Sequence, residues 1–344
     1  MKLYDKITSG KVYTIAEMSA NHAGSLDTAL RIVRAACSAG ADCLKIQTYT
    51  ADTMTLPCSS DYFKVKGGLW DGYTLYDLYS EAALPLDWQA EIKHETEKLG
   101  MDFLSTPFDR TAVDFLSNLG VCMYKIASYE LTDIPLLKYT AAQGKPILLS
   151  TGMGTLEEIG QAIDAIKSCG NDQIILLKCT SEYPAHFEDM NLAVIPDMIN
   201  RFGLPVGLSD HSMGTLAGVV AVSLGACIIE KHFCLSREIK NPDSEFSMEP
   251  AEFQRLVQDA NSAAIIRGKA TYELNKRETD GRWCRRSVFV SRDIKRGEIF
   301  TEENIRVIRP ADGLAPALFE DVLGKRSACD ISFGTPLADN HIAK

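Results

Sequence analysis

Short apolar runs recur along the chain, and each is followed by a segment whose apolar residues have helical spacing. The eight runs occupy residues 12–18, 43–49, 101–108, 123–128, 146–151, 174–180, 206–211 and 227–233. Continuous apolar runs of this length are typical of parallel strands that are buried on both faces. Residues 26–39, 88–99 and 155–169 have helical spacing, and a glycine, a common helix stop, follows each of them. Strands alternating with helices in this way predict a (β/α)8 TIM barrel, which we assign to residues 1–268.

Polar side chains follow each apolar run at the point where the predicted strand ends. They are Glu17; Lys45 and Gln47; Ser105 and Thr106; Lys125, Ser128 and Glu130; Ser150 and Thr151; Lys178, Thr180 and Ser181; Ser209, Asp210 and His211; and Glu230 and His232. A TIM barrel places its active site at the carboxyl ends of its strands. The pattern therefore predicts an enzyme active site at this end of the barrel.

Two histidines end neighbouring predicted strands. His211 and His232 each follow an apolar run, and residues 213–224 between them have helical spacing. A single histidine on an apolar background is more often a core residue bonded to the backbone. Two at equivalent strand ends, each beside a carboxylate (Asp210 or Glu230), favour a shared metal ion.

Two lysines lie within predicted strands, and an isoleucine follows each of them. A buried lysine such as Lys45 or Lys125 needs an anionic partner. That partner is either Glu17 or Glu130, in an internal ion pair, or a bound phosphate or carboxylate. The sequence leaves both alternatives open.

The rest of the chain divides into a long loop and a small second domain. The loop between the second and third runs is aromatic, with Phe63, Trp70 and Tyr73 among its residues, and we expect it to bind substrate or act as a lid. Residues 248–268 are predicted to form the closing helix of the barrel. Residues 269–286 are charged and predicted to be a linker, and residues 287–344 are predicted to form a small β-rich domain.

Composition narrows the class of protein. The net charge of -10 argues against non-specific binding of nucleic acid. No apolar run approaches the roughly 20 residues that a membrane span needs. The first residues lack an apolar signal core, so we expect a cytoplasmic protein. The ten cysteines form no CxxC pair, and we expect them to be reduced.

Taken together, these motifs resemble the sialic acid synthases, which condense phosphoenolpyruvate with an amino-sugar. The resemblance rests on residues 16–22 (AEMSANH), 45–48 (KIQT), 105–108 (STPF), 125–130 (KIASYE), 149–153 (LSTGM), 207–212 (GLSDHS), 230–233 (EKHF) and 241–243 (NPD). Residues 19–26, 66–71 and 75–79 are most similar to the pseudaminic acid synthases of that family. The resemblance implies condensation with 2,4-diacetamido-2,4,6-trideoxy-L-altrose, while legionaminic and N-acetylneuraminic acid synthases share nearly all the barrel motifs.

The resemblance also implies roles for individual residues. Phosphate and carboxylate groups of the substrates would meet ammonium and hydroxyl donors. The implied substrate-binding residues are Asn21, Lys45, Gln47, Thr106, Phe108, Lys125, Ser128, Ser150, Ser181, Tyr183, Ser209 and Arg309. The implied catalytic carboxylates are Glu17, Glu130 and Asp243. Ser181 is a departure, since the neuraminate synthases carry an asparagine two residues before the tyrosine.

Two further expectations follow from this family. A divalent ion on His211 and His232, with water and substrate completing its shell, suits Mn²⁺, Mg²⁺ or Co²⁺ better than a closed zinc site. The C-terminal unit resembles the antifreeze-like (SAF) domain through Arg309, Pro310 and Gly313. The resemblance implies a domain-swapped homodimer in which Arg309 reaches the partner's sugar.

Two other functions are compatible with parts of the pattern. An aldolase using a lysine Schiff base would employ Lys125 or Lys178. A non-catalytic sugar- or ice-binding protein would account for the antifreeze-like unit, but it has no need of two metal-binding histidines beside two carboxylates.

Overall fold

The computed structural model describes residues 3–7 and 9–343. The chain divides into two compact units, with the boundary between Gly268 and Lys269. The first unit holds all of the apolar runs from which the barrel was predicted. Each unit is described by itself.

The first unit is a closed barrel of parallel strands, as the alternating pattern predicts. Its strands are β1 (Tyr13–Glu17), β2 (Cys43–Thr48), β3 (Asp102–Pro107), β4 (Tyr124–Ile126), β5 (Ile147–Ser150), β6 (Ile174–Cys179), β7 (Val206–Asp210) and β8 (Ile228–His232). They are hydrogen-bonded in sequence order. β8 closes the barrel on β1, with Glu17 opposite His232. The prediction of a (β/α)8 barrel is confirmed.

Helices alternate with the strands, and most of them cover the outside of the barrel, as the helical spacing predicts. They are α1 (Leu3–Ile7), α2 (Leu26–Ser38), α3 (Ala51–Met54), α4 (Leu75–Ala82), α5 (Gln89–Lys98), α6 (Arg110–Leu119), α7 (Ile134–Ala141), α8 (Leu156–Lys167), α9 (Val194–Phe202), α10 (Leu216–Ser223) and α11 (Pro250–Arg267). At the start of α8, Thr155 and Glu158 form a reciprocal capping box. Each bond satisfies a backbone N–H that a helix start would otherwise leave free.

Side chains alternate along each strand and so build two separate cores. Alternate side chains fill the barrel interior, among them Ile15, Met123, Ile175, Leu177 and Ile228. Their neighbours pack outward against the helices. Two residues beyond Ile15, Met123 and Ile228, the inward positions are Glu17, Lys125 and Glu230, because side chains repeat their direction every second residue. A polar layer therefore lies on top of an apolar layer inside the barrel.

The segment between β2 and β3, residues 51–82, is hereafter called the lid. It contains α3 and α4, joined by a loop that turns back on itself through a bridge between Lys64 and Thr74. The indole Nε1 of Trp70 donates a hydrogen bond to the carbonyl oxygen of Pro242, at 2.9 Å. This bond ties the tip of the lid to the loop that follows β8.

The second unit is small and rich in turns. Its two strands, β9 (Ser287–Val290) and β10 (Ile305–Ile308), are antiparallel. They pack over a core that includes Phe300 and Leu337. The segment predicted as a linker, residues 269–286, carries a short helix, α12 (Lys276–Asp280), and a 3-10 turn at Gly281–Cys284. A further short helix, α13 (Phe319–Val322), precedes the last turns.

Within the described residues, none of the helices combines the length and the apolar character that crossing a bilayer requires.

The interior of the barrel leaves no room for a side chain at position 207. A Cβ built on Gly207 would lie 2.7 Å from the Cβ of Ile228 and 2.8 Å from its carbonyl oxygen. Gly207→Ala is therefore expected to destabilise the barrel by roughly 1–3 kcal/mol in urea unfolding, because the wall of β8 must shift. The matched control is Gly160→Ala on α8, where a Cβ meets nothing within 4 Å. That change should stabilise by about 0.4–1 kcal/mol, and equal effects at both sites would contradict the packing argument.

Candidate active site

Four charged side chains form the polar layer inside the barrel. Lys45 Nζ lies 2.5 Å from Glu17 Oε2 and 3.7 Å from Glu230 Oε1. Lys125 Nζ lies 3.3 Å from the same Glu230 oxygen, which also accepts a hydrogen bond from Ser209 Oγ at 3.0 Å. All of these side chains are buried. Glu230 is thus held between two ammonium groups.

Burial and pairing set the protonation of this layer. Burial disfavours the charge of Glu230, but Lys125 and Lys45 more than offset it and lower its pKa. Burial lowers the pKa of Lys125. Burial also raises the pKa of Glu17 to about 7, although the ion pair with Lys45 opposes that shift. Two ammonium groups therefore face one firmly ionised carboxylate, and the layer favours a bound anion.

The partner of Lys125 differs from the pair considered in the sequence. The hypothesis of an internal ion pair is confirmed for Lys45 with Glu17, whereas Lys125 pairs with Glu230 rather than with Glu130. In the sequence argument, Glu230 was named among the strand-end polar residues and as the carboxylate near His232, but not as a partner of a lysine. Strand alternation identifies it as an inward position, because it lies two residues from both Ile228 and His232 in β8.

Three serine hydroxyls gather at the ends of β4, β5 and β6. A Cβ built on Gly152 would lie 2.3 Å from Ser181 Oγ and 2.7 Å from Ser128 Oγ, so both hydroxyls converge above this glycine. The Gly152 N–H donates to Ser128 Oγ at 3.1 Å. Ser150 Oγ is buried and has no hydrogen-bond partner among the described residues. These groups form a small cradle of donors beside Lys125.

The two histidines lie together, as their positions at adjacent strand ends predict. Their ring centroids are 5.4 Å apart. His211 Nδ1 bonds the carbonyl oxygen of Thr180 at 2.9 Å, which leaves its Nε2 lone pair for a ligand. His232 Nδ1 is buried and has no hydrogen-bond partner in the described part of the chain. Asp243 Oδ2 lies 3.8 Å from that nitrogen.

A thiol that the sequence argument left aside also lies beside His211. Cys179 Sγ is 3.9 Å from His211 Nδ1 and 3.6 Å from Ser181 Oγ. Burial raises the pKa of Cys179, but His211 and the neighbouring hydroxyls outweigh it and bring the pKa to about 6. Alternation from Leu177 in β6 is the signal that places this cysteine on the inner side.

Behind the histidines, an ion pair joins β7 to β8 on the outer face of the barrel wall. Lys231 Nζ lies 2.6 Å from Asp210 Oδ2 and also donates to the carbonyl oxygen of Ser212. Asp210 Oδ1 accepts hydrogen bonds from the backbone N–H of Ser212 at 2.8 Å and from its hydroxyl at 2.7 Å. Because Asp210 and Lys231 immediately precede the two histidines, this buried pair fixes the strand ends that carry them.

A cavity of about 410 Å³ opens beside the histidines, at the carboxyl ends of the strands. The predicted site residues on its wall are Gln47, Phe108, Glu130, Tyr183, His232 and Asp243. The Tyr183 ring lies 4.2 Å from the ring of His211, centroid to centroid. Burial raises the pKa of Glu130 to about 7, and its Oε2 has no hydrogen-bond partner within the described residues. The wall therefore offers a carboxyl group that titrates near neutral pH.

The remaining predicted residues lie in several places. Lys45 Nζ donates to Thr106 Oγ1 at 3.4 Å inside the polar layer. Asn21 is buried and donates to the carbonyl oxygen of Met18 and to Ser247 Oγ. Arg309 belongs to the second unit, where it follows β10 and is exposed. Lys178 points to the outer face, where its amine donates to Cys179 O.

Known proteins share both units of the chain. The model of the NeuB family matches residues 32–272, and that of the SAF domain matches residues 285–343. A pseudaminic acid synthase from Campylobacter jejuni is 44% identical over 333 residues, which is 97% of either chain. An N,N'-diacetyllegionaminic acid synthase from Legionella pneumophila is 37% identical, over 96% of this chain and 94% of that protein.

A solved structure agrees with these relatives. The N-acetylneuraminic acid synthetase from Leptospira borgpetersenii, crystallised with citrate, superposes with a TM-score of 0.72 at 31% identity. The match covers 79% of this chain and 90% of that one. The family model and these relatives cover most of the chain, and the chain belongs to the NeuB family.

Proposed function

We propose that the protein is a pseudaminic acid synthase. It condenses phosphoenolpyruvate with 2,4-diacetamido-2,4,6-trideoxy-L-altrose and water, and releases pseudaminic acid and phosphate. The observation that carries the reaction class is the layer of buried ammonium and hydroxyl groups beside the paired histidines. The choice of sugar is supported by relatives in Campylobacter jejuni and Helicobacter pylori that are named pseudaminic acid synthases, at 44% and 39% identity.

Phosphoenolpyruvate is a compact anion, and the polar layer suits it. Lys125, the free hydroxyl of Ser150 and the hydroxyls above Gly152 offer charge-assisted hydrogen bonds to phosphate oxygens. Lys45 and Ser209 both contact Glu230 in the same layer. The carboxylate of phosphoenolpyruvate would be the counter-ion there. A second anion there would also relieve the cost of burying two ammonium groups around one firmly ionised carboxylate.

The histidines fit a divalent cation such as Mn²⁺, Mg²⁺ or Co²⁺. His232 has a buried nitrogen with no hydrogen-bond partner in the described residues, and His211 keeps one lone pair free. Across the described ranges, no group of three or more His, Cys, Asp or Glu side chains is arranged to hold a metal ion. Such an ion, held by two imidazoles and open to substrate, supplies polarisation of the sugar aldehyde oxygen.

The carboxyl groups of the site are then available for the proton transfers of the reaction. A bond forms between C3 of phosphoenolpyruvate and the aldehyde carbon, water adds at C2, and the C2–O bond to phosphate breaks. Glu130, on the cavity wall and with a pKa near 7, can take a proton from that water or return one. Glu17 lies deeper, paired with Lys45, and Asp243 flanks His232. A Schiff base on Lys178 is disfavoured, because its amine is on the outer face.

The proposed enzyme works in the cytoplasm. Each of its ten cysteines is a free thiol, which suits a reducing compartment.

The function is tested by phosphate release from phosphoenolpyruvate with each candidate sugar. We expect release with the trideoxy-L-altrose and little with the legionaminic precursor or N-acetylmannosamine. Stripping the protein with EDTA should abolish release, and Mn²⁺ should restore it. His232→Ala should stay inactive with Mn²⁺ while keeping the wild-type circular dichroism spectrum. Full turnover in chelator would contradict the metal, and release only with another sugar would contradict the named substrate.

Glu130→Gln should lower the activity and raise the free energy of unfolding at pH 8. Because burial raises its pKa from 4.5 to about 7, the folded protein keeps a proton that the unfolded chain loses, and ionisation opposes folding as pH rises between those values. The variant should therefore exceed wild type in free energy of unfolding by ~2–3 kcal/mol at pH 8, but match it at pH 4. Phosphate release should fall by a factor of about 100 or more.

The control for this pair of measurements is Glu91→Gln, on the exposed surface of α5. It should leave both activity and the pH dependence of unfolding as they are in wild type. A Glu130→Gln protein whose gain in stability is equal at both pH values would show that desolvation of the charged form is not the cause.

The proposed enzyme is a domain-swapped homodimer in which Arg309 of one subunit completes the barrel site of the other. Support comes from the SAF domain match and from the exposure of Arg309 within its own unit. An exposed arginine is free to bind a carbonyl or carboxylate group of a sugar in another subunit. A single subunit would then have an incomplete site.

Subunit mixing tests this arrangement. Arg309→Ala and Glu130→Gln should each be inactive alone, but after mixing and subunit exchange about a quarter of the sites should hold both intact residues. Phosphate release should recover to that extent. A mixture of Glu130→Gln with His232→Ala, both in the barrel, should remain inactive as the control. Failure of the first mixture to recover would reject the exchange between subunits.

A further inference from the structure

The cavity has two chemically different sides. The side built by the strand ends carries polar groups, among them Gln47, Glu130, His232 and Asp243. The side built by the lid carries the aliphatic side chains of Met54, Val65, Leu75, Leu78 and Ala82, together with the rings of Trp70 and Tyr79. Both sets line one continuous cavity. A ligand that fills it must therefore have one polar end and one end that tolerates mainly aliphatic and aromatic contacts.

Several polar side chains of the lid are engaged in hydrogen bonds with the protein itself. Tyr76 donates its hydroxyl hydrogen to Asp52 Oδ1 at 3.0 Å, and Tyr73 donates to Glu81 Oε2 at 2.9 Å. Trp70 donates to Pro242 O. The bonds of Tyr73 and Tyr76 lie off the cavity wall, whereas Tyr79 of α4 lines the cavity, and burial together with the charge of Glu130 raises the pKa of its hydroxyl. Leu75 and Leu78 themselves offer the cavity only carbon.

The apolar surface is also held in place before any ligand arrives. Thr74 caps α4 by accepting a hydrogen bond from the backbone N–H of Asp77 at 3.1 Å. The Tyr79 and Tyr49 rings pack edge to face, with centroids 5.9 Å apart. Leu78 is 8% exposed. A preformed apolar wall discriminates between ligands more sharply than a mobile one, because it cannot rearrange to hydrate a polar group.

We propose that the lid is a specificity element: Leu75 and Leu78 form an apolar subsite for the deoxygenated distal carbon of the sugar. This inference rests on the proposed function. The reaction requires the aldehyde end of the sugar to lie beside the histidines, and the distal end then meets the opposite, apolar side of the cavity. The subsite takes 6-deoxy sugars, a class that includes the precursors of both pseudaminic and legionaminic acid, and disfavours sugars with a 6-hydroxyl.

The size of the discrimination follows from the loss of hydration. A hydroxyl pressed against Leu75 or Leu78 loses its water without gaining a partner from either side chain, while a methyl group gains from burial. An apolar pocket rejects an analogue that merely adds a hydroxyl by a factor of about 100. Wild-type enzyme is therefore expected to prefer the trideoxy sugar over its 6-hydroxyl analogue by about that ratio of kcat/KM.

The experiment compares kcat/KM for 2,4-diacetamido-2,4,6-trideoxy-L-altrose and for the same sugar with a 6-hydroxyl, at saturating phosphoenolpyruvate. Leu78→Ser and Leu75→Gln each supply a hydrogen-bonding group, and each should reduce the preference by about tenfold or more. Leu75→Gln keeps the test decisive if Leu78→Ser does not fold, since Leu75 is less buried. The matched control is Leu56→Ser, a lid residue that is 62% exposed and should keep the wild-type preference.

The outcomes are separable. An active wild type with no preference between the two sugars would overturn the apolar subsite but leave the synthase function standing. Equal preferences in wild type, Leu78→Ser and Leu75→Gln would place the discrimination elsewhere and reject the role of the lid. A wild type that releases no phosphate with either sugar would reject the proposed function, and the subsite with it.

Discussion

The ion-paired layer inside the barrel is the constraint on which the rest of the site depends. Two ammonium groups, Lys45 and Lys125, lie where a barrel of this size usually holds only apolar side chains. Removing such charges from water costs several kcal/mol each unless partners are fixed around them. Glu230 meets both lysines, and Ser209 supports its carboxylate. The strands must therefore keep their stagger for the layer to remain satisfied.

The ion-paired layer also explains why the site favours a bound anion. Glu230 stays ionised between its two partners, whereas burial makes Glu17 reluctant to ionise. The arrangement keeps positive charge available without leaving it unpaired before a substrate arrives. The serine hydroxyls around Gly152 extend the same surface toward the mouth of the barrel. The groups that favour a bound anion and the two histidines therefore lie side by side at the same strand ends.

The outer parts of the site serve different needs. The Asp210–Lys231 pair holds the histidine-bearing strand ends from behind. The lid covers the cavity from the front and offers it carbon surface. Barrels of this fold vary their loops while keeping the strands, so a loop is the natural place for discrimination among sugars that undergo the same reaction. On our proposal, the strand ends supply the general chemistry and the lid contributes to the choice of sugar.

Much of this organisation was predictable because strand and helix periods are local properties. The apolar runs and their glycine stops located the barrel strands and the helices between them. The direction of each side chain, and the nearness of His211 to His232, followed from alternation and from adjacent strand order. The sequence also identified Lys45 and Glu17 as a possible pair.

Contacts between distant segments depended on the tertiary structure. Only the closed barrel brings Glu230 to Lys125, 3.3 Å apart, rather than Glu130. Only the fold of the lid turns Leu75 and Leu78 into the cavity while Tyr73 and Tyr76 bond to Glu81 and Asp52 off the cavity wall. The reason is geometric: the period of a strand fixes which face a residue occupies, but the stagger and closure of the barrel determine which residues on that face meet.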